Sequence, residues 1–351
     1  MASKALNRIV PADVPLGRRI VGLAAAAAVV MGAAGVARAD QWRIATLAPD
    51  GSAWMKILGR GAEELNKATA GRVAIKYYPG GVQGDEKDVV AKMHGGALDG
   101  GAFTTIGLSM VDESIRVLEL PMLFKSVEEM DSVRDRMWPT FQARFEKKGY
   151  RLSDPGDVGF LYFYSASSIK SIEDLTRAKV WLWGEDKIVK AMFRKLGVNG
   201  VPMGVPDVLP ALNTGRINAC YASPLAAVAL QWYTKVKFST SMPMAYGIGA
   251  TIVRKAVWDK MSPDDKKLSE KIFKLQAVKL RKAVRRDNER AFKAITRAGV
   301  TVVETPATMV AEFDKRSQEV WQEMVGKLYS KEDLALVLKY RAEFRAKSAG
   351  K

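Results

Sequence analysis

The stretch Trp42–Gly81, WRIATLAPDGSAWMKILGRGAEELNKATAGRVAIKYYPGG, decides the fold class of this chain. It predicts an alternating strand that begins at Trp42, a Pro-Asp-Gly turn, and a helix whose apolar residues recur at helical spacing. A second strand is predicted over Val73–Tyr78, after Gly71 ends the helix. A strand, a helix and a strand in this order indicate a βαβ unit.

The same alternation continues along the chain and predicts an α/β fold whose parallel sheets are covered by helices on both faces. A second unit begins near Gly159 with GFLYFYSASS. The other predicted segments are helices over 89–93, 126–142, 185–196 and 206–215, and strands over 101–103, 178–183 and 216–222. After Pro263 neither Gly nor Pro occurs before Gly299. This predicts one helix roughly 50 Å long at ~1.5 Å per residue, which is enough to span two lobes.

The amino-terminal 39 residues predict a secretory signal peptide. Arg18 and Arg19 form its positive region, residues 20–36 its apolar run, and Ala37-Arg38-Ala39 a small-x-small cleavage site. We therefore expect export to the periplasm with cleavage near Ala39. A retained membrane span is less favoured, because the apolar run is short and ends in that cleavage site. The choice between the Sec and twin-arginine export routes stays open.

The chain is strongly basic, with a formal net charge of +17, of which residues 1–39 contribute five basic residues and one acidic residue. An exported protein meets little nucleic acid, and the chain shows no nucleic-acid recognition motif, so no nucleic-acid partner is expected. Much of the excess charge lies between Lys266 and Arg297, interleaved with apolar residues. This indicates a solvated helix face, with contact to an anionic membrane surface or an acidic partner as the alternative.

The residues that catalysis usually requires are scarce. The chain has a single histidine, His94, and a single cysteine, Cys220, which excludes an internal disulfide and zinc sites built from Cys and His. His94 lies at a predicted helix end, where a surface or capping role is expected. The segments GGVQGDEK and GALDGGA lack the spacing of a phosphate-binding loop. We expect neither an enzyme nor a bound cofactor or metal.

Four short motifs carry a resemblance to a known family. They are YYPGGVQGDEKDVVAKMHGGALDGG (77–101), LELPMLFKSVEEM (118–130), SIEDLTRAKVWLW (171–183) and VPMGVPDVLPALNTGRINACYASP (201–224). Their order and spacing resemble the solute receptors of tripartite ATP-independent periplasmic (TRAP) transporters over nearly the whole mature chain. The resemblance implies a type II-like periplasmic binding protein fold, in which two α/β lobes are joined by hinge strands and a long helix and close on a solute. It also implies membrane permease subunits as partners.

The strand order and the long helix predict how the lobes divide. We expect residues 40–158 plus 247–286 in the first lobe and residues 159–246 plus 287–351 in the second.

The chain departs from the family pattern where the family holds carboxylates. The strand residue that matches Trp181 is normally Arg in the family, and GFLYFY occupies a segment where many relatives carry a further Arg. Strand alternation places Trp181 and Trp183 on one face. The resemblance and these departures together suggest a ligand site formed by Leu47, Asp50, Phe103, Thr104, Trp181, Trp183, Val205, Tyr221 and Ala222. A strand shifted by one residue, with Trp181 in the core, is the alternative.

An aromatic cleft without Arg favours an apolar or amphipathic solute, because burying a carboxylate there would cost several kcal/mol. Lys179 and Lys187 remain near the site, so an amphipathic acid with a hydrated head group stays open. The missing Arg also resembles the tetratricopeptide-repeat-associated subgroup, which makes such a protein a candidate partner. We expect a periplasmic receptor that delivers its solute to a permease. The alternative is a periplasmic lipid carrier or sensor subunit with the same fold.

Overall fold

The structure, a computed structural model, describes residues 40–350. The predicted signal peptide, residues 1–39, lies outside the described residues. Within residues 40–350, no helix is both long enough and apolar enough to cross a membrane.

Strands and helices alternate along the chain, as the sequence predicts. The strands are β1 (Asp40–Thr46), β2 (Val73–Tyr78), β3 (Gly100–Thr104), β4 (Tyr150–Leu152), β5 (Gly156–Ser165), β6 (Val180–Trp183), β7 (Gly200–Met203), β8 (Ala219–Ala222), β9 (Phe238–Thr240), β10 (Ala245–Arg254) and β11 (Thr301–Val303). The α-helices are α1 (Ala53–Ala68), α2 (Glu86–His94), α3 (Thr105–Ser109), α4 (Val127–Lys147), α5 (Ile172–Arg177), α6 (Lys187–Leu196), α7 (Val208–Asn213), α8 (Pro224–Ala229), α9 (Lys255–Trp258), α10 (Pro263–Arg297), α11 (Ala307–Glu323) and α12 (Lys331–Ala349). Short 3₁₀-helices cover Glu113–Glu119, Val205–Asp207 and Trp232–Lys235.

The strands form two sheets that share β5. The first sheet has the order β2-β1-β3-β10-β5, with β4 also paired to β10. The second has the order β5-β8-β6-β7, and β9 joins β11 to β5. Residues 156–161 of β5 pair with β10, whereas residues 162–165 pair with β8 and β9. These two sheets and their helices confirm the predicted two-lobe α/β fold.

The prediction of parallel sheets is wrong for the strands that cross between the lobes. The outer strands do pair in parallel, as in β1 with β2 and β3, and in β6 with β7 and β8. However, β10 is antiparallel to β3, β4 and β5, and β5 is antiparallel to β8 and β9. The reason is topological: β5 carries the chain into the second sheet and β10 carries it back in the opposite direction.

Gly159 lies where the crossing strands meet. It pairs with Gly247, and the register shifts between Gly247 and Ile248. Gly159 has φ of +109°, and a Cβ there would lie 2.5 Å from the side-chain nitrogen of Asn288. Asn288 in turn donates to the carbonyl of Val158 and accepts from the amide of Leu225, both at 2.9 Å. Only glycine fits this conformation without strain, so the crossing is held closely against α10.

The predicted long helix is confirmed as α10, which has 35 residues. Ser262 caps it by accepting a hydrogen bond from the amide of Asp265. The helix packs on α1 of the first lobe, where Gly61 allows the side chain of Gln276 to approach, and on α8 of the second lobe. Most of its Lys and Arg side chains face solvent. A single rigid element therefore contacts both lobes.

Candidate functional site

A cavity of about 430 Å³ opens between the two lobes. The loop after β1 and the ends of β3 and α2 form its wall on the first lobe. The second lobe contributes β6, the end of β8, and the residues that follow β7 and β8. The carboxyl ends of these strands meet at the cleft, which is the usual position of ligands in open α/β folds.

The cavity brings together eight of the nine residues suggested by the sequence. They are Leu47, Phe103, Thr104, Trp181, Trp183, Val205, Tyr221 and Ala222. Asp50 is the exception, because it is exposed in the turn after β1 and its carboxylate accepts from the amide of Gly51 at 2.9 Å. Its side chain is occupied with the turn and lies outside the cavity wall.

Aromatic rings stack along the wall of the second lobe. Trp181 and Trp183 share a face of β6, with ring centroids 5.8 Å apart and planes inclined by 30°. Tyr221 of β8 stacks on Trp181 at 4.7 Å and 24°. Trp232 meets Trp181 edge-on at 5.1 Å. Trp232 was not among the predicted site residues, because it lies in a short 3₁₀-helix outside the four family motifs.

Trp181 is at once part of the wall and closely packed. Only 2% of its surface is exposed, and its indole nitrogen donates to the carbonyl of Met203 at 3.0 Å. The hydroxyl of Tyr221 accepts from the amide of Trp183 at 3.2 Å, which ties the two strands together. Trp181 therefore contributes to the cavity wall and is also packed in the core.

Two glutamates bring carboxyl groups to the cavity. Glu86 accepts hydrogen bonds from the amide and hydroxyl of Thr104 at 2.8 and 2.9 Å, and from the amide of Gly107 at 2.6 Å. Burial raises the pKa of Glu86 to about 7. Glu119 lines the same cavity, and burial raises its pKa to about 8. The cavity wall therefore contains two buried carboxyl groups, and burial favours the protonated form of each.

Arg116 is the cation nearest to these groups, and its charge is already matched. Its guanidinium is buried and donates to Asp186 at 2.8 Å. It lies 3.1 Å from Oε2 of Glu119, an oxygen that accepts no hydrogen bond within the described residues. Asp186 also lines the cavity and caps α6. The guanidinium thus contacts two carboxyl groups, and its own charge is balanced by Asp186.

The lysines near the aromatic motif lie elsewhere than the sequence suggested. Lys187 is exposed and pairs with Glu113, whereas Lys179 is exposed near the carbonyl of Gly215. Neither lines the cavity. The cations that do line it are Arg151 and Lys274, which lie on the α10 side of the first sheet.

Other reactive chemistry is weakly represented in the part of the chain that the structure describes. No group of three His, Cys, Asp or Glu side chains there could hold a metal ion. Cys220 is fully buried, and burial raises the pKa of its thiol to about 12. The thiol is therefore inert at neutral pH.

Comparisons with known proteins agree with this geometry. The family described as bacterial extracellular solute-binding protein, family 7, matches residues 44–328. A solute-binding protein of Chromohalobacter salexigens is 26% identical over 292 residues, which cover 82% of this chain and 86% of that protein. The 2,3-diketo-L-gulonate-binding periplasmic protein YiaO of Escherichia coli is 24% identical over 245 residues, or 68% of this chain and 73% of the relative.

Solved structures show the same fold. A TRAP periplasmic solute-binding protein of Xanthobacter autotrophicus with bound β-D-galacturonate has a TM-score of 0.80 and 24% identity, over 86% of this chain and 99% of that chain. A sugar acid binding protein of Advenella mimigardefordensis in complex with galactonate has a TM-score of 0.81 and 20% identity, over 87% of this chain and 99% of that chain. The fold of the described residues is thus that of the solved TRAP receptors.

Proposed function

The chain belongs to the bacterial extracellular solute-binding protein family 7, and from this premise we propose that it binds an apolar or amphipathic solute by lobe closure. In this proposal it acts in the periplasm after removal of residues 1–39 and delivers its solute to the permease subunits of a TRAP transporter. The observation that carries the choice of solute is the stacked wall of Trp181, Trp183 and Tyr221, where the family normally places a carboxylate-binding Arg.

The charges around the cleft support an apolar solute. Arg116 is neutralised by Asp186 and lies beside Glu119, so a carboxylate in the cleft would find no uncommitted cation next to the aromatic wall. An unpaired buried anion costs several kcal/mol. By contrast, burying ~200 Å² of apolar ligand surface contributes about 5 kcal/mol at ~25 cal/mol per Å².

Four solved neighbours hold sugar acids and another binds pyroglutamic acid, but their sequence identity of 18–25% supports the shared fold rather than a shared ligand. Trp181 replaces the family Arg in this chain. The aromatic cleft of this chain therefore supports a different solute class from the acids held by the neighbours.

Closure would take place about the crossing strands. We place the lobes at residues 40–158 plus 247–286 and at residues 159–246 plus 287–351. The support is that β5 passes from one sheet to the other between Leu161 and Tyr162, close to the first of these boundaries. The bulge between Gly247 and Ile248 lies at the second boundary, residue 247.

The second candidate is a periplasmic lipid carrier or sensor subunit that uses the same fold without transport. The missing Arg favours it equally, as does the resemblance to the tetratricopeptide-repeat-associated subgroup. Neighbouring genes would separate the two: adjacent small and large permease genes support a transport receptor, and their absence beside a tetratricopeptide-repeat gene supports the carrier.

Ligand analysis tests the proposed solute class. Mass spectrometry of the purified protein should identify an apolar or amphipathic compound, and returning that compound to stripped protein should raise the melting temperature. Glucuronate, galacturonate and succinate at millimolar concentration should produce no shift. A ligand at 100-fold excess over its dissociation constant adds ~2.7 kcal/mol of stability, which is readily detected. A clear shift with any of the three acids would overturn the assignment.

A further inference from the structure

The cavity does not end at the aromatic wall. It continues on the other face of the first sheet, between β1, β3 and β10 on one side and the helices α1 and α10 on the other. We call this branch the α10 tunnel and define it by Leu58, Ala102, Thr251, Phe273 and Ala277, all of which line the cavity.

Small side chains are the reason for the gap between the two layers. A Cβ on Gly100 would contact Ile44, which belongs to the same hydrophobic cluster as Trp258 and Ile272 of the α10 side. Ala102 lies two residues further along β3, so it faces the same side of the sheet. Ala102 is opposite Thr251 in the sheet, and Ala277 faces them from α10. Ala102 and Thr251 remain partly exposed although their strands are central in the sheet. Protein interiors are normally close-packed, so an accessible gap of this kind is suited to a ligand.

The tunnel reaches the surface beside charged side chains of α10 and β4. Arg151 pairs with Glu270 at 2.6 Å and lies over the ring of Trp258 at 5.4 Å. Lys274 lines the same mouth, is exposed, and has no ion-pair partner among residues 40–350. Asp154 also lines the cavity. The neighbouring turns of α10 add Lys271 and Arg281, so the field at the mouth is positive overall.

We propose that the α10 tunnel holds the chain of a single-chain amphiphile whose anionic head group lies in water at Lys274. This inference rests on the proposed function and specifies its solute class. The two ends of the cavity differ in charge, which orients the ligand. An anion at the cleft would meet Glu86 and Glu119 without a free cation, whereas an anion at the mouth stays hydrated and close to Lys274.

Chain length provides the first test. Butanoate, octanoate and dodecanoate are titrated into delipidated mature protein by isothermal calorimetry. The affinity of the wild type should rise with chain length, because each further methylene is buried in the tunnel. Ala277→Leu fills the tunnel and should weaken dodecanoate binding about tenfold or more. Ala102→Val narrows the tunnel from the opposite wall and should also weaken dodecanoate binding. Two variants on different elements are used so that a folding defect in one of them does not decide the test.

A matched control lies on the same helix. Ala294 is exposed and does not line the cavity, so Ala294→Leu makes the same chemical change outside the tunnel and should leave binding unchanged. Lys274→Ala tests the head group. It should weaken dodecanoate binding and leave binding of the neutral dodecanol unchanged, whereas a purely apolar contact would weaken both.

Each outcome separates this inference from the proposed function. Ala226→Leu fills the cleft branch, where Ala226 lines the cavity. If Ala226→Leu weakens dodecanoate and neither tunnel variant does, the ligand lies in the cleft alone, and the tunnel inference fails while the receptor proposal stands. If the tunnel variants weaken it, whether or not Ala226→Leu does, the tunnel inference stands, and Ala226→Leu shows whether the ligand also extends into the cleft. If the wild type binds no member of the series, the tunnel inference is overturned, and the co-purified compound still decides the receptor proposal.

Discussion

The indole nitrogen of Trp183 donates a hydrogen bond to the carboxylate of Asp85 at 2.8 Å and joins the two lobes across the cleft. Asp85 caps α2, which packs against β3 of the first lobe, whereas Trp183 ends β6 of the second. Gly204 lies so close that a Cβ there would be 2.8 Å from the same carboxylate oxygen. Trp183 therefore lines the cavity and also forms a hydrogen bond that requires the two lobes to be close together.

Gly204→Ala should favour the open state. The backbone of Gly204 has φ of −73°, so alanine is compatible with its conformation, but the added methyl group would push Asp85 away from Trp183. We expect a larger radius of gyration by small-angle scattering and a loss of solute affinity of about tenfold. Gly184→Ala is the matched control, because the nearest atom to its Cβ is 3.9 Å away. Equal affinity in the two variants would show that the Asp85 contact does not support closure.

Removing the buried guanidinium of Arg116 should be costly. Arg116→Met would leave the buried carboxylate of Asp186 without its cation, and breaking a buried pair in this way typically costs about 3–5 kcal/mol of unfolding free energy. Arg290→Met is the control, because Arg290 is 72% exposed and 3.6 Å from Asp287. It should change stability by no more than about 1 kcal/mol. Urea denaturation measures both, and similar values for the two would contradict the assigned role of Arg116.

The sequence predicted correctly those features that depend on a single continuous segment. The uninterrupted helix after Pro263 is α10, and the alternation of β6 places Trp181 beside Trp183. The Arg116–Asp186 pair was missed because its partners are 70 residues apart and neither carries a local signal. A pairing of this kind is set by how the two lobes meet, which no single segment encodes.

The α10 tunnel was missed for the same physical reason. It exists because small residues on three separate elements, Ala102, Thr251 and Ala277, face one another in the folded chain. Each is unremarkable in its own segment, since an alanine or threonine in a strand or helix has no distinctive spacing. Asp50 is the reverse case: its position in the first loop suggested a ligand role, but its carboxylate accepts from the amide of Gly51 and does not line the cavity.

Glu119 should make stability depend on pH. Burial raises the pKa of Glu119 to about 8 in the folded chain, against ~4.3 when unfolded. Its contribution to folding is therefore complete below about pH 4.3 and is lost as the pH rises through about 8. Glu119→Gln keeps the shape and removes the titration, so the stability difference between variant and wild type should shift in favour of Gln as the pH rises. Urea denaturation at about pH 5 and pH 9 checks the sign. A constant difference would mean that Glu119 stays ionised throughout.

Trp181 should contribute to solute binding as well as to packing. Trp181→Ala removes a ring that stacks on both Trp183 and Tyr221, and we expect a loss of about 3–5 kcal/mol in unfolding free energy. The folded fraction should also bind the co-purified solute about tenfold more weakly, as aromatic anchors do when truncated. Trp181→Phe keeps a stacking ring but loses the hydrogen bond to Met203. Its unfolding free energy and its solute affinity should therefore lie between those of the wild type and those of Trp181→Ala.

The control for this prediction is Trp321→Ala. Trp321 is 5% exposed, its indole nitrogen donates to the carbonyl of Pro121 at 2.9 Å, and it does not line the ligand cavity. Its removal should lower the unfolding free energy by a similar amount, because both side chains are large and buried. Solute affinity of the folded Trp321→Ala protein should be unchanged, since Trp321 is not part of the cavity wall. If Trp181→Ala likewise lost stability but bound the solute normally, Trp181 would be core alone, and the aromatic wall would not be the surface that selects the ligand.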